Sequence, residues 1–381
     1  MNEFSLKCIS EEDFLNMKEE WNALLDRGGS NECFLLWEWI YCWWQLFKEK
    51  NRRLYILAGR NCNNEAIGIA PFYVENNKIF RFLSRKSIRF CSSLETYPDH
   101  LDVICRNEYE NSFIEAVLNY LIKNHKDWDS IRIDGVKENS AVKKYLTNIK
   151  NLKKEIIIDF HPSSICPYVT VEGSYKEYIG SFSKAKKRTI SRYRKLLLEK
   201  EKMEYGNVKN HDELEDYIEH LFMLHAERAK RKGIRSTFCE DRVLNFHKNI
   251  IKRLFNKDKI RIFYLKKNSK PIAIIYCIRH ANKYYMYQSG LSSEGEKNSA
   301  GTVLLSLCIE DAFRENCHEI DFLRGREKYK FLWTDKFRED YSIEIIKNHL
   351  IQRMFHMIGR GHRINKILGL VARILRERIK R

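Results

Sequence analysis

Apolar residues recur at spacings of three and four over residues 11–25 and 34–49, which predicts two helices, with Gly28, Gly29 and Ser30 as the break between them. The pattern then shortens. Residues 53–59 (RLYILAG) and 66–74 (AIGIAPFYV) flank the polar stretch NCNNE and predict a β-hairpin. Strand-like runs follow at 79–82, 88–91 and 100–104, a helix over 111–124 and a strand over 130–135. The stretch up to Pro162 and Pro167 is poorly patterned, and a domain boundary is expected there.

Beyond it the order returns. Residues 184–202, 212–232 and 241–255 read as helices, the second stopped by Gly233. A hairpin over 260–265 (IRIFYL) and 271–278 (PIAIIYCI), a strand over 283–289, a helix over 301–316 and a strand over 319–323 complete the pattern. The second strands of the two hairpins open at Ala66 and Pro271, 205 positions apart. A supersecondary order repeated at this distance predicts duplication of one α/β domain. The expected division is 1–162, 163–345 and a tail over 346–381, with a separate core in each of the first two parts.

Charge adds the next constraint. The 381 residues carry a formal net charge of +18, which calls for an anionic partner: nucleic acid, a phosphorylated ligand or an acidic membrane surface. Residues 347–381 hold ten Lys/Arg against one Glu, and their apolar residues fall at helical spacings broken by Gly359, Gly361 and Gly369. A basic amphipathic tail of this kind reads as a helix for an anionic membrane surface or for packing. The 11 cysteines form no CxxC pair, which argues against a disulfide framework and against a zinc site. The opening MNEFSLKCISEEDF has no basic start followed by an apolar core, so no signal peptide is expected. The 14-residue run 34–47 falls short of the roughly 20 apolar residues of a spanning helix. A reducing, cytoplasmic location is expected, peripheral at the inner face of the membrane if the tail docks there.

Three stretches carry candidate chemistry. In 294–305 (EGEKNSAGTVLL), Asn298 or Ser299 can cap a helix whose first turn, with Ala300, Gly301 and Thr302, is free of bulk. Its exposed N–H groups and positive end suit a phosphate or diphosphate. In 318–333 (HEIDFLRGREKYKFLW), a short strand breaks at Gly325 into a loop dense in Arg324, Arg326, Glu327, Lys328, Tyr329 and Lys330. That make-up fits a loop gripping anions better than a loop that only packs. Residues 184–195 hold seven Lys/Arg and no acid. As a helix they align Lys184, Arg188 and Arg192 on one face, with Ile190, Tyr193 and Leu197 on the other. Uncompensated like charges at i, i+4 disfavour a helix by a few tenths of a kcal/mol per pair, so an anionic partner is again implied.

The run YYMYQSG, the following SAG, the helix and IDFLRGREKYKFLW together resemble the C-terminal half of GNAT-superfamily acyltransferases of the CelD-like or BioF-like type. These are related to Fem-type aminoacyltransferases. PIAIIYCI, the helix with His225 and Arg228, and KAKKRTISRYRKL extend the match across about 160–340; WEWIYCWW and SLETYPDHLDV match more loosely. Ala300 departs from the pattern, which commonly has Pro before the Gly.

The resemblance implies an α/β (α+β) fold of tandem GNAT-like domains, mixed sheets flanked by helices, with the first domain non-catalytic. It implies acetyl-CoA or another acyl-CoA as co-substrate, no metal, and a diphosphate held by Asn298, Ser299, Ala300, Gly301 and Thr302. The acyl group would pass to an amine of a sugar or cell-envelope precursor. Tyr329 would protonate the leaving thiolate and Lys330 would hold the oxyanion. Asp321, Glu327 and His225 are the candidates for accepting the ammonium proton, and Lys184, Arg188, Arg192, Arg324 and Arg326 for binding an anionic substrate. No DNA partner is expected. Two alternatives stay open: a Fem-type enzyme drawing on aminoacyl-tRNA, and a non-catalytic subunit of a membrane polysaccharide-synthesis complex.

Overall fold

The computed structural model describes residues 4–80, 83–150, 152 and 155–347. Beyond Lys347 the basic tail expected over 346–381 lies outside the described residues. The first half runs β1 (Phe4–Cys8), α1 (Glu11–Asn16), α2 (Lys18–Arg27), α3 (Trp37–Phe47), β2 (Arg52–Asn61), β3 (Ala66–Phe80), β4 (Leu83–Phe90) and β5 (Ile104–Cys105). It continues through α4 (Glu110–Lys123), β6 (Ser130–Lys137), α5 (Ala141–Ile149) and β7 (Ile156–Thr170). The second half comprises α6 (Tyr175–Gly180), α7 (Lys184–Arg194), β8 (Glu204–Asn207), α8 (His211–Arg231), α9 (Asp241–Phe255), β9 (Ile260–Lys267) and β10 (Lys270–His280). β11 (Lys283–Leu291), α10 (Ser293–Lys297), α11 (Ala300–Arg314), β12 (Glu319–Asp321) and β13 (Phe337–Lys347) follow.

Local chemistry explains most boundaries. Ser10 and Asp13 form a capping box that starts α1, and the helix expected over 11–25 divides at Met17. The run expected as a strand over 100–104 is not one. His100 adopts a left-handed φ of 61°, and only Ile104 of those residues joins a strand. The basic helix expected over 184–202 stays α-helical to Arg194 and continues as a π-helical segment over Lys195–Lys200.

Among the described residues thirteen strands make one mixed sheet, in the order β1-β2-β3-β4-β6-β13-β7-β12-β11-β10-β9-β8, with β5 beside β3. The repeat is visible as geometry. In each half an antiparallel meander (β1–β4, then β8–β11) meets one parallel neighbour across a helix, over only three residue pairs: Ser87↔Ser130 to Arg89↔Arg132, and Lys283↔Glu319 to Tyr285↔Asp321. The two halves then exchange long strands. β7 leaves the first half and pairs with β12, β13 leaves the second and pairs with β6, and β7 and β13 pair with each other along eleven positions. Position 162/163 falls inside β7. Pro162 is tolerated there because the register shifts between Asp340 and Tyr341, opposite it.

The separate cores expected for two domains are replaced by a shared one. A single apolar cluster extends from Phe14 to Ile345 across both halves, with α3 lying on α9 and the Trp39 and Phe246 rings 4.9 Å apart. A second cluster surrounds α11 on the opposite face of the sheet, reaching Val169 and Trp333. Glu38, buried within the aromatic α3, is neutralised by Lys257 of the other half at 2.5 Å and accepts from Asn22 at 3.0 Å. No helix among the described residues is long and apolar enough to cross a membrane.

Candidate active site

The parallel pairing of β11 with β12 ends at Tyr285 and Asp321, while β11 runs on to Leu291 against β10 alone. The β10–β11 register shifts between Tyr276 and Cys277, which leaves Tyr287 as an extra residue. Such a bulge bends its strand, and here it turns β11 away from β12. The gap is a cleft of about 470 Å³, walled by β11 from Met286 to Leu291, the start of α11 and the loop after β12. From Met286 onward alternate backbone groups of β11 face this gap instead of a neighbouring strand.

One wall is the start of α11. Ser299, Gly301 and Thr302 line the cleft, whereas Ala300 is wholly buried beneath them and Asn298 is the C-cap of α10. Ser299 sits at the N-cap of α11 with a left-handed φ of 58°, and its side chain makes no capping bond, contrary to expectation. Its carbonyl instead accepts from Thr302 and Val303 at 3.0 and 3.2 Å, so the helix end keeps its positive pole toward the cleft. A methyl on Gly301 would meet nothing nearer than Leu291 at 3.5 Å, so the surrounding protein does not itself demand a glycine.

The opposite wall is the loop after β12. Tyr329 is 40 % exposed and opens into the cleft. Burial of its phenol, then the charge of Glu327, pushes its pKa up to about 12 against an opposing Arg228, so it carries its proton at neutral pH. Glu327 also lines the cleft and is more than half exposed.

Lys330 is placed differently from the expected oxyanion donor. It is 4 % exposed, and its ammonium donates to the carbonyls of Leu323 (3.1 Å) and Arg324 (2.5 Å) and pairs with Glu327 (3.1 Å). All three donors are spent on folding the loop.

Asp321 and His225 are corrected likewise. Asp321 is fully buried, accepting from the Leu323 amide at 2.7 Å and bonded to His100 at 3.0 Å, so it braces the loop and has no open face for an ammonium. His225 lies behind β11, bonded to Ser236 at 2.9 Å; burial, then Arg228, lowers its pKa and keeps it neutral. Arg324 lines the cleft, yet its guanidinium is committed to Asp99 at 2.7 Å and the Pro98 carbonyl at 2.7 Å. Arg326 is exposed but does not line the cleft. Lys184, Arg188 and Arg192 are exposed on α7 while Ile190 and Leu197 are buried, as the helical spacing predicts. Tyr193, on the other face, is held in hydrogen bonds to Ser299 and Arg192 that lower its pKa, and ties α7 to the α11 start.

Sequence reasoning missed the contribution of the first half. Thr96, Tyr97 and Asp99 line the cleft of the second half, and the Tyr287 hydroxyl donates to the Thr96 carbonyl at 2.8 Å. Next to them His100, with no exposure, is held between Asp340 at Nδ1 (2.8 Å) and Asp321 at Nε2 (3.0 Å). Burial opposes its charge, but the two carboxylates overcome this and hold its pKa well above the usual histidine range. Cys166 is the other nearby donor, and its ligand atom lies within 4.8 Å of those of His100 and Asp340. Burial keeps that thiol protonated and both imidazole nitrogens are bonded to carboxylates, so the donor set is that of an ion pair. The first half's own strand gap, past Arg89/Arg132, is closed by this same segment. Leu101 bridges Val136, its amide donates to the Gly135 carbonyl at 2.7 Å, and Pro98 packs where a side chain on Gly135 (φ 71°) would stand. The motif SLETYPDHLDV was the signal available, but only the fold joins it to residues 321–340.

Residues 184–331 match the model of a family described as acetyltransferase (GNAT) domain. No curated protein matches the chain. Among solved structures, that of FemX is similar over 93 % of this chain and 99 % of its own, at 12 % identity and a TM-score of 0.61. A conserved protein of unknown function from Bacteroides thetaiotaomicron gives 0.52 at 15 % identity, covering 90 % of this chain and 100 % of that one. The C-terminal domain of a putative lysylphosphatidylglycerol synthetase from Agrobacterium fabrum also gives 0.52, at 8 % identity, over 91 % and 96 %. At these identities the likeness is one of fold. The splayed parallel strands and the open helix start between them lie within residues 184–331, the stretch that is similar to a GNAT acetyltransferase domain.

Proposed function

We propose that the protein is an acyl-CoA-dependent N-acyltransferase, in the first instance an acetyltransferase, acting on an amine of a sugar or cell-envelope polysaccharide precursor. One observation carries the reading: the gap between β11 and β12 has the open start of α11 on one wall and a protonated phenol on the other. Catalysis is assigned to residues 163–345, and residues 1–162 serve as a non-catalytic partner whose own gap is closed. The fit to acyl-CoA rests on that cleft, on the unobstructed Gly301 and on the unpaired β11 edge.

A bound acyl-CoA supplies a thioester carbonyl open to attack by a neutral amine. The first turn of α11 takes the diphosphate, with Arg192 beside it. Backbone N–H groups on the β11 edge are the donors for the developing oxyanion, the role first expected of Lys330. Tyr329 gives its proton to the departing thiolate. Glu327, an exposed carboxylate that lines the cleft beside Tyr329, accepts the proton of the attacking amine. Anionic acceptors are steered by Lys184, Arg188 and Arg326. The exposed, acid-free face of α7 also favours a second reading, in which aminoacyl-tRNA is the donor. Peripheral membrane contact through the tail belongs to the proposal as well.

The test is transfer itself. The full chain is mixed with labelled acetyl-CoA and a panel of amino sugars, nucleotide-linked amino sugars and aminoacyl-tRNA, with thiol release and labelled product both measured. Thiol release that depends on an amino sugar supports the proposal. Product formed from aminoacyl-tRNA alone replaces it with the second reading.

A further inference from the structure

His100 belongs to the first half, yet its amide and both ring nitrogens are spent on the second. Its amide and Nδ1 bond the two oxygens of Asp340, each at 2.8 Å, and Nε2 bonds Asp321 at 3.0 Å. The other oxygen of Asp321 accepts from the Leu323 amide at 2.7 Å, and Leu323 has a left-handed φ of 55°. The adjoining Asp99 accepts from the Arg324 amide at 2.8 Å and from its guanidinium. The carbonyls of Leu323 and Arg324 are in turn the acceptors for the Lys330 ammonium, one residue past Tyr329. A continuous chain of bonds therefore runs from the first half to Lys330, the residue that follows Tyr329.

Non-glycine residues hold left-handed conformations only where their surroundings over-determine them. His100 and Leu323 both do so, on either side of Asp321. The charged groups packed on His100 come from three elements: Asp321 of β12, Asp340 of β13, and Asp99 beside it with Arg324. Arg338, at 3.5 Å from Asp321, completes the cluster.

We propose that His100 is a positioning residue, donated by the first half, that fixes the turn at Leu323 and through Lys330 sets Tyr329 on the cleft wall. It rests on the acyltransferase reading for the meaning of Tyr329, but the placement can be tested without turnover. The proposal adds to the part that the first half already has in the cleft through Thr96, Tyr97 and Asp99.

The full chain is prepared with 3-fluorotyrosine at position 329, as wild type, as His100→Gln and as Asp340→Asn. Fluorine NMR, melting temperature, acetyl-CoA affinity and turnover are then recorded. Displacing a reacting group by about 1 Å can cost 10²-fold in rate. The His100→Gln variant is therefore expected to shift or split the Tyr329 resonance and to lower kcat by about 10- to 100-fold. Affinity for acetyl-CoA should stay within about twofold, because the α11 start is on the other wall. If His100→Gln does not fold, Asp340→Asn decides by the same signal, since it keeps the shape and removes one charge. A folded variant whose Tyr329 resonance and kcat match the wild type overturns the proposal. Absence of acetyl-CoA binding to the wild type sinks the acyltransferase reading separately, and the fluorine signal still decides the role of His100.

Discussion

Replacing Gly301 by Asp separates stability from binding at the α11 start. The added Cβ has ordinary contacts only, the nearest being Leu291 Cδ2 at 3.5 Å and Cδ1 at 3.8 Å. A carboxylate in the first turn interacts favourably with the helix end, by about 0.3–1 kcal/mol. The folded state should therefore be as stable as the wild type or slightly more so. Binding should move the other way. A unit charge about 5 Å from a phosphate charge, at an effective dielectric constant near 20, is repelled by about 3 kcal/mol, and salt reduces this. An affinity loss of about 10- to 100-fold, equivalent to roughly 1.4–2.8 kcal/mol, is the expected result. Gly301→Ala serves as the neutral control. Calorimetric titration with acetyl-CoA gives the affinities and urea unfolding without ligand gives the stabilities. A folded Gly301→Asp variant that binds acetyl-CoA as the wild type does would remove the diphosphate from the α11 start.

Lys330→Met should unfold at lower urea concentration, since the carbonyls of Leu323 and Arg324 lose their common donor; about 1–3 kcal/mol is expected, and an unchanged midpoint would free Lys330 for the oxyanion role. Gly135→Ala should cost about 2 kcal/mol or more, because φ is 71° and the new methyl would stand 2.6 Å from the Pro98 carbonyl; a neutral effect in thermal unfolding would show that the segment at 96–101 gives way easily. Acid should destabilise the fold from pH 6.5 downward. His247 and His280 are buried and neutral, with pKa values held near 3 by desolvation, and in the second case also by Lys259. These two histidines together bind up to two more protons in the unfolded chain than in the folded one between about pH 6.5 and 3, a contribution to the slope of up to about 2.7 kcal/mol per pH unit. His100 has the opposite shift; its contribution is complete below pH 6.5 and is lost only as pH rises toward its folded pKa. Urea midpoints that do not fall between pH 6.5 and 5 would contradict the neutral burial of His247 and His280.

Periodicity revealed the local elements and not the joins between them. Helices α4, α8, α9 and α11, and the two central hairpins, lie within a few residues of where apolar spacing predicts them. The exchange of β7 and β13 is hidden because Pro162 and Pro167 read as breakers, and the register shift that accommodates Pro162 lies in the partner strand. Glu38 looked like a blemish in an apolar helix, and its meaning depends on Lys257, 219 positions away. The same limit applied at the site. That Gly301 and Tyr329 line the cleft follows from local pattern, a bulk-free helix start and a tyrosine shortly after a strand. His100 was read as part of a strand, since the carboxylates that give it a role are 221 and 240 positions distant. Lys330 was misjudged for a related reason: a lysine in a charged loop looks free until its carbonyl acceptors are placed.

The central claim is that the β11–β12 gap holds an acyl-CoA, and thermal unfolding of the full chain with acetyl-CoA, longer acyl-CoAs and aminoacyl-tRNA tests it most directly. A ligand at 100 times its dissociation constant adds about 2.7 kcal/mol of stability. A rise in melting temperature with at least one acyl-CoA, abolished in Gly301→Asp at the same concentration, is the predicted result. No response to any acyl-CoA, with a response to aminoacyl-tRNA or to nothing, would contradict it.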